Sequence, residues 1–292
     1  MQTLRTIDAF RAARSALNGK VALVPTMGAL HSGHVGLMEY AQELADHVVV
    51  SIFVNPTQFG PNEDLDVYPR DEEGDLAKCQ AAGVALVFMP PASEMYANGH
   101  SQLTFVDMTQ LTDGLCGASR SGHFRGVTTV VTKLFNIVQP DVAVFGQKDY
   151  QQFAVLRQMA LDLNMPVEVV SMPTVREADG LAMSSRNRNL RPEERQKALS
   201  LSRGLIAAWT AWNGGERDAE KLQRLVREMM TDAGANVDYA TAVDPVSLQP
   251  LAGDDVAPKT AMIAVAAFIG NVRLIDNLRL DEPLPDALRD LK

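Results

Sequence analysis

The segment PTMGALHSGH, residues 25–34, places two imidazoles and two glycines between an apolar run and a helical pattern. His31 and His34 stand three apart, so on the first turn of a helix both can project to one side. The N–H groups at such a helix start lack partners within the helix and carry the positive end of its dipole, which favours phosphate oxygens. Gly28 and Gly33 let the backbone turn sharply and come close to a ligand. The chemistry this permits is hydrogen bonding or charge donation to a nucleotide α-phosphate whose negative charge grows as it is attacked.

Three other segments carry groups of complementary type. In FGQKDYQQ, residues 145–152, Lys148 offers a point charge to a β- or γ-phosphate and Gln152 a hydrogen bond to a polar substrate. In LAMSSRNRNL, residues 181–190, Ser184 and Ser185 supply hydroxyl donors and Arg186 a guanidinium fork suited to phosphate, although alone this is an ordinary polar loop. In SIFVNPTQF, residues 51–59, Asn55 and Gln58 flank Pro56. Neutral amides there can recognise hydroxyl and carboxylate groups without adding charge, and an Asn-Pro turn is the plainer alternative.

The elements that must position these groups follow from the apolar pattern. Runs at 21–25, 47–53, 84–89, 142–146 and 167–172 have the character of strands buried on both faces. Helical patterns at 33–46 and 75–83 alternate with them, the second closing on Gly83 as a C-cap. This rhythm predicts βαβ units around a parallel sheet, with PTMGALHSGH, SIFVNPTQF and FGQKDYQQ at strand ends, the edge where open α/β sheets bind ligands. The stretch from Pro90 to Gly126 is longer than an ordinary connection, as active-site lids often are. The start, MQTLRTIDAFRAARSALNG, has the pattern of an amphipathic helix rather than a signal peptide. Past Val175 the rhythm changes to helical patterns from near Pro192 and Asp218, then short strands at VDYATAV and TAMIAVAAFIG. The expectation is an α/β protein with a domain over 1–176 and a smaller α+β domain over 177–292.

Composition excludes several classes. The 292 residues, 46% hydrophobic and 22% charged, suit a folded globular protein. No apolar stretch reaches the roughly eighteen residues of a membrane helix, so a cytoplasmic protein is expected, without a membrane partner. Cys79 and Cys116 stand far apart and outside any CxxC pattern, which indicates neither a disulfide framework nor a zinc site. A formal net charge of -9 counts against a nucleic-acid partner.

Together and in this order, PTMGALHSGH, SIFVNPTQF, SGHFRGV, FGQKDYQQ and LAMSSRN resemble the pantothenate synthetase (pantoate–β-alanine ligase) family, over essentially the whole chain. That family lies in the wider HxGH nucleotidyltransferase group, and MSSRN resembles a relative of the KMSKS loop of class I aminoacyl-tRNA synthetases. The resemblance implies a Rossmann-like domain that binds ATP and pantoate, a C-terminal lid domain, and a homodimer formed by the N-terminal domains. It implies condensation of (R)-pantoate with β-alanine to pantothenate, AMP and pyrophosphate through a pantoyl adenylate, with Mg2+ accompanying ATP. ATP contacts are then expected from Met27, Gly28, Ala29, Leu30, His31, Ser32, Gly33 and His34, from Gly146, Gln147, Lys148 and Asp149, and from Val175, Met183, Ser184, Ser185 and Arg186. His34 matches the family's proton donor, and His31, Lys148 and Arg186 are the other groups expected to act in catalysis. Gln58 and Gln152 match the positions that hold pantoate, Gln58 also touching β-alanine, with Asn55 and Tyr68 as further pocket residues. A nucleotidylyltransferase that leaves the nucleotide on its product would suit a lone small domain. A synthetase for tRNA would need a basic surface, and a non-catalytic nucleotide sensor would not need Lys148 and Arg186 beside both histidines.

Overall fold

The computed structural model describes residues 1–60, 65–97, 99, 104–253 and 260–289. Chain contacts divide it into two units, Met1–Gln147 with Gln151–Pro173, and Lys148–Tyr150 with Thr174–Lys292. The second begins at Thr174 and takes in a three-residue segment from the middle of the chain.

In the first unit the elements run β1 (Gln2–Leu4), α1 (Ile7–Arg14), β2 (Val21–Thr26), α2 (Ser32–Leu44), β3 (His47–Ile52), α3 (Glu72–Ala81), β4 (Leu86–Phe88), α4 (Ala92–Met95), α5 (Leu115–Ser119), α6 (His123–Val138), β5 (Val142–Gly146), α7 (Tyr150–Asp162, entering from the second unit) and β6 (Glu168–Met172). The strands form a wholly parallel sheet in the order β1-β4-β3-β2-β5-β6. Because side chains alternate faces along a strand, each apolar run feeds two cores. Val21 and Leu23 of β2 join Ala143 and Phe145 of β5 in one core, whereas Ala22 and Val24 join Val142 and Val144 in the other. Strands covered on both faces read as continuous hydrophobic runs, which is why the sequence shows them.

The first residues depart from expectation. Gln2–Leu4 pairs in parallel with β4, Gln2 opposite Leu86, and the helix starts only after Thr6, whose side chain accepts the Ala9 N–H. Sheet pairing overrides the local helical pattern there, and α1 buries Phe10 against Phe88 with ring centroids 4.9 Å apart. The stretch from Pro90 to Gly126 is not one loop either: it contains α4, α5 and the start of α6, while Asn98 and residues 100–103 lie outside the described residues. α3 ends with Ala82 as its C-cap, one residue before the Gly83 expected there, and Gly83 follows in the left-handed region at φ +69, where a glycine best takes the chain out of the helix. Cys79 and Cys116 are both buried thiols, and burial together with the nearby Asp75 charge pushes Cys79 up to about 11.

The second unit carries α8 (Pro192–Asn213), α9 (Ala219–Asp232), β7 (Asn236–Val243), β8 (Met262–Ile269), β9 (Val272–Arg279) and α10 (Asp286–Arg289). Pro192 opens α8, where its missing N–H has no helical partner to lose, and Asp218 caps α9 by accepting from the Glu220 and Lys221 amides. The strands form an antiparallel sheet, β7-β8-β9. Central β8 is buried at every position except Phe268, with alternate residues Ile263, Val265, Ala267 and Ile269 packing into a core shared with both long helices. Among the described residues no helix is long and apolar enough to cross a membrane.

Candidate active site

β3, β2 and β5 are successive neighbours in the sheet, and each hands its C-terminal end to a turn carrying residues singled out in the sequence. Asn55 and Gln58 follow β3, Met27 to His34 follow β2, and Gly146 ends β5 with Gln147 just after it. From β2 the chain goes to β3 on one side and meets β5 on the other, the kind of switch point at which open sheets bind ligands.

The turn after β2 has an inner and an outer part. Gly28, at φ +83, Ala29, at φ +51, and Leu30 are buried. A Cβ on Gly28 would sit 2.9 Å from Asp75 Oδ2 and 3.2 Å from Ile52 Cγ2, so conformation and space both call for glycine. Asp75, 2% exposed, accepts from the Ala29 N–H at 2.8 Å and the Leu30 N–H at 2.6 Å. The amides of Ala29 and Leu30 therefore hold the turn in place. Met27, His31 and His34 are only half-buried and Ser32 is exposed. His31 is the N-cap of α2, and the two imidazoles lie with ring centroids 4.1 Å apart. His34 Nδ1 accepts the His31 backbone N–H at 3.3 Å, which places the proton of a neutral ring on Nε2.

The turn after β3 is organised around Asn55, which is 1% exposed. Its Nδ2 donates to Gln58 Oε1 at 3.1 Å and to Gly126 O at 3.2 Å, and its Oδ1 accepts from Tyr96 OH at 2.7 Å and Thr57 Oγ1 at 3.0 Å. Both ends of the amide are thus engaged within the protein. Gln58, with its Oε1 held, points Nε2 to Met27 Sδ at 3.0 Å, a weak acceptor. The SGHFRGV segment supports the same turn. His123 Nδ1 donates to the Gln58 carbonyl at 2.8 Å, Arg120 Nη1 lies 2.9 Å from His123 Nε2, and a Cβ on Gly126 would fall 2.3 Å from Thr57 O. Tyr68 is buried edge-on to Phe59, centroids 5.9 Å apart. Of the neighbouring glutamines on α7, Gln152 is half-buried, whereas Gln151 is buried and donates to Leu111 O and Gly114 O.

In the second unit, Lys148 is half-buried with its Nζ 3.9 Å from Asp149 Oδ2. Val175 and Met183 are joined by a hydrogen bond from Met183 N to Val175 O at 2.9 Å, which brings the chain back to Ser184. Ser184 caps a short 3-10 turn, Ser185–Asn189, by accepting from Arg186 N. Asn187, the last letter of MSSRN, is buried, its Nδ2 donating to Glu177 Oε1 at 2.6 Å and Ala182 O at 3.0 Å. Arg195 binds Glu177 and Asp179 in turn. Met183, Ser184, Ser185 and Arg186 are left half-buried at the surface of this braced turn. Asp75 is a supporting residue outside every motif, and the supporting roles of His123 and Asn187, which lie within SGHFRGV and LAMSSRN, cannot be read from motif letters, because their partners are backbone groups or side chains elsewhere in the chain.

The chain matches the family model described as pantoate-beta-alanine ligase over residues 2–279. It is 55% identical over 263 residues to a pantothenate synthetase of Myxococcus xanthus, covering 89% of each chain. To that of Geotalea daltonii it is 54% identical over 286 residues, 97% of this chain and all of the relative. The crystal structure of a pantothenate synthetase from Thermus thermophilus superposes with a TM-score of 0.89 at 47% identity, covering 96% of this chain and 99% of the other. A pantoate-beta-alanine ligase from Francisella tularensis, complexed with beta-gamma ATP and beta-alanine, matches with a TM-score of 0.77 at 32% identity over 97% of this chain and 99% of the other. Matched in sequence from its first strand to its last, and in fold over nearly all its length, the chain belongs to the pantoate-beta-alanine ligase family.

Proposed function

We propose that the chain condenses pantoate with β-alanine at the expense of ATP, giving pantothenate, AMP and pyrophosphate. The observation that carries this reading is the pair of imidazoles at the head of α2, 4.1 Å apart, in a chain matched to this family over residues 2–279. A carboxylate is a poor electrophile, since its charge and resonance repel an incoming amine. The reaction therefore takes two steps. A pantoate carboxylate oxygen attacks the α-phosphorus of ATP, and the bond to the bridging oxygen breaks to release pyrophosphate. The β-alanine amine then attacks the acyl carbon of the pantoyl adenylate, the bond to AMP breaks, and the nitrogen gives up a proton.

Local geometry supports the residue roles that the family resemblance implies. His34 presents Nε2–H, because its Nδ1 is engaged by the His31 amide, and donates to the α-phosphate as its charge increases. His31 adds a second imidazole beside it. Lys148 and Arg186 supply fixed positive charge to the phosphates, with Ser184 and Ser185 as hydroxyl donors. Gln58, its oxygen held by Asn55, turns its amide hydrogens toward the pantoate hydroxyl or carboxylate, and Gln152 provides a second amide. Asn55 serves through Gln58. Among the described residues no His, Cys, Asp and Glu side chains gather in a group that could hold a metal ion. In this reading magnesium would accompany ATP, neutralising phosphate charge, as is usual for that ion with nucleotides. Pantoate-dependent exchange of labelled pyrophosphate into ATP, without β-alanine, tests the reading.

A further inference from the structure

Two successive residues of β9, outside every motif discussed so far, hold the segments that bear Lys148 and Arg186. Arg176 and Asp276 form a bidentate ion pair, Nη1 to Oδ2 at 2.6 Å and Nη2 to Oδ1 at 2.9 Å, with side chains 1% and 2% exposed. For stability alone such a pair gains little, because desolvating both ions offsets most of their attraction and apolar side chains of similar volume commonly serve as well or better. What it adds is direction. A guanidinium fork and a carboxylate accept one arrangement. Arg176 Nη1 also donates to Gly180 O at 3.1 Å, inside the turn closed by the antiparallel bridge between Arg176 and Ala182. That turn runs directly into Ser184 and Arg186. The next residue of β9, Asn277, is buried and donates from Nδ2 to the Lys148 carbonyl at 2.8 Å.

We propose that Asp276 and Asn277 are positioning residues for the nucleotide: one strand fixes the Lys148 turn and the turn leading to Arg186 in a common frame, so that their charges meet the triphosphate at a set spacing. This rests on the reading that Lys148 and Arg186 take the phosphates of ATP. Both residues act through those side chains, so their loss weakens ATP and leaves pantoate alone.

The test uses the full chain, with ATP and pantoate titrated separately by calorimetry and folding followed by circular dichroism. Asn277→Ala removes the donor to Lys148 O, and the double variant Arg176→Met with Asp276→Leu exchanges the ions for apolar groups of similar size. The expected result is an ATP dissociation constant raised about tenfold or more in each, the scale of one buried hydrogen bond lost, with pantoate affinity within about twofold of the parent and a cooperative melt. Unchanged ATP affinity in folded Asn277→Ala overturns the proposal, as does equal weakening of both ligands, which marks general damage. If the double variant does not fold, Asn277→Ala carries the test. Because binding needs no turnover, a parent protein that binds ATP without catalysing exchange would sink the proposed reaction and leave the positioning claim to be decided by these affinities.

Discussion

Among single residues, the groups proposed to face a ligand differ in burial from a group that aims one of them. His31, His34, Met27, Gln152 and Ser184 to Arg186 are half-buried, the state expected of side chains that meet a small molecule, whereas Asn55 is fully engaged with its neighbours. Asn55 should therefore act on pantoate only by orienting Gln58. Asn55→Ala and Gln58→Ala are each expected to weaken pantoate by about tenfold to hundredfold, the 1 to 3 kcal/mol of a lost buried amide partner, with little change in ATP affinity. The double variant should lose hardly more than either single one, since the two act in series. Fully additive losses, measured by calorimetric titration of pantoate, would show that Asn55 touches the substrate independently. The residues proposed to face ligands stand out in the sequence because motif letters at element ends report their chemistry. Their supports do not, because Asp75 acts on backbone N–H groups 46 and 45 positions away and leaves no spacing to read.

At the scale of elements, that carboxylate makes α3 part of the site although α3 carries no residue of the motifs. It fixes the turn between β2 and α2, where Ala29 sits at φ +51 and Gly28 at φ +83. Asp75→Ala strands two buried amides, so a stability loss of about 2 to 5 kcal/mol is expected, with a smaller loss for Asp75→Asn, which keeps one acceptor. Denaturant unfolding followed by circular dichroism measures both, and a loss below about 1 kcal/mol for Asp75→Ala would mean that the turn holds itself. The same contrast explains which elements the sequence reveals. β2, β3 and β5 are buried on both faces and show as apolar runs. β1 is three residues of edge strand defined only by pairing with β4, and Val272–Arg279 is a half-buried strand whose buried Asp276 and Asn277 are explained by partners elsewhere in the chain.

Across the whole molecule, a net charge of -9 is compatible with a proposed function that handles anions, because net charge sums all 27 Lys and Arg against 36 Asp and Glu, whereas phosphate binding calls only for the few cationic groups at the motif turns, Lys148 and Arg186. The order of those turns along the chain, more than any one of them, identifies the family, and each stands at an element end where backbone geometry rather than side-chain flexibility sets direction. In the proposed reaction pantoate is activated as an adenylate by a reversible attack on ATP, with His34 assisting as charge builds. The direct measurement is incorporation of labelled pyrophosphate into ATP, with pantoate and magnesium present and β-alanine absent. The expected result is exchange that requires pantoate and falls about hundredfold or more in His34→Ala while that variant still binds ATP, the loss expected for one oriented transition-state donor. Exchange that proceeds without pantoate, or pyrophosphate release that occurs only once β-alanine is added, would contradict it.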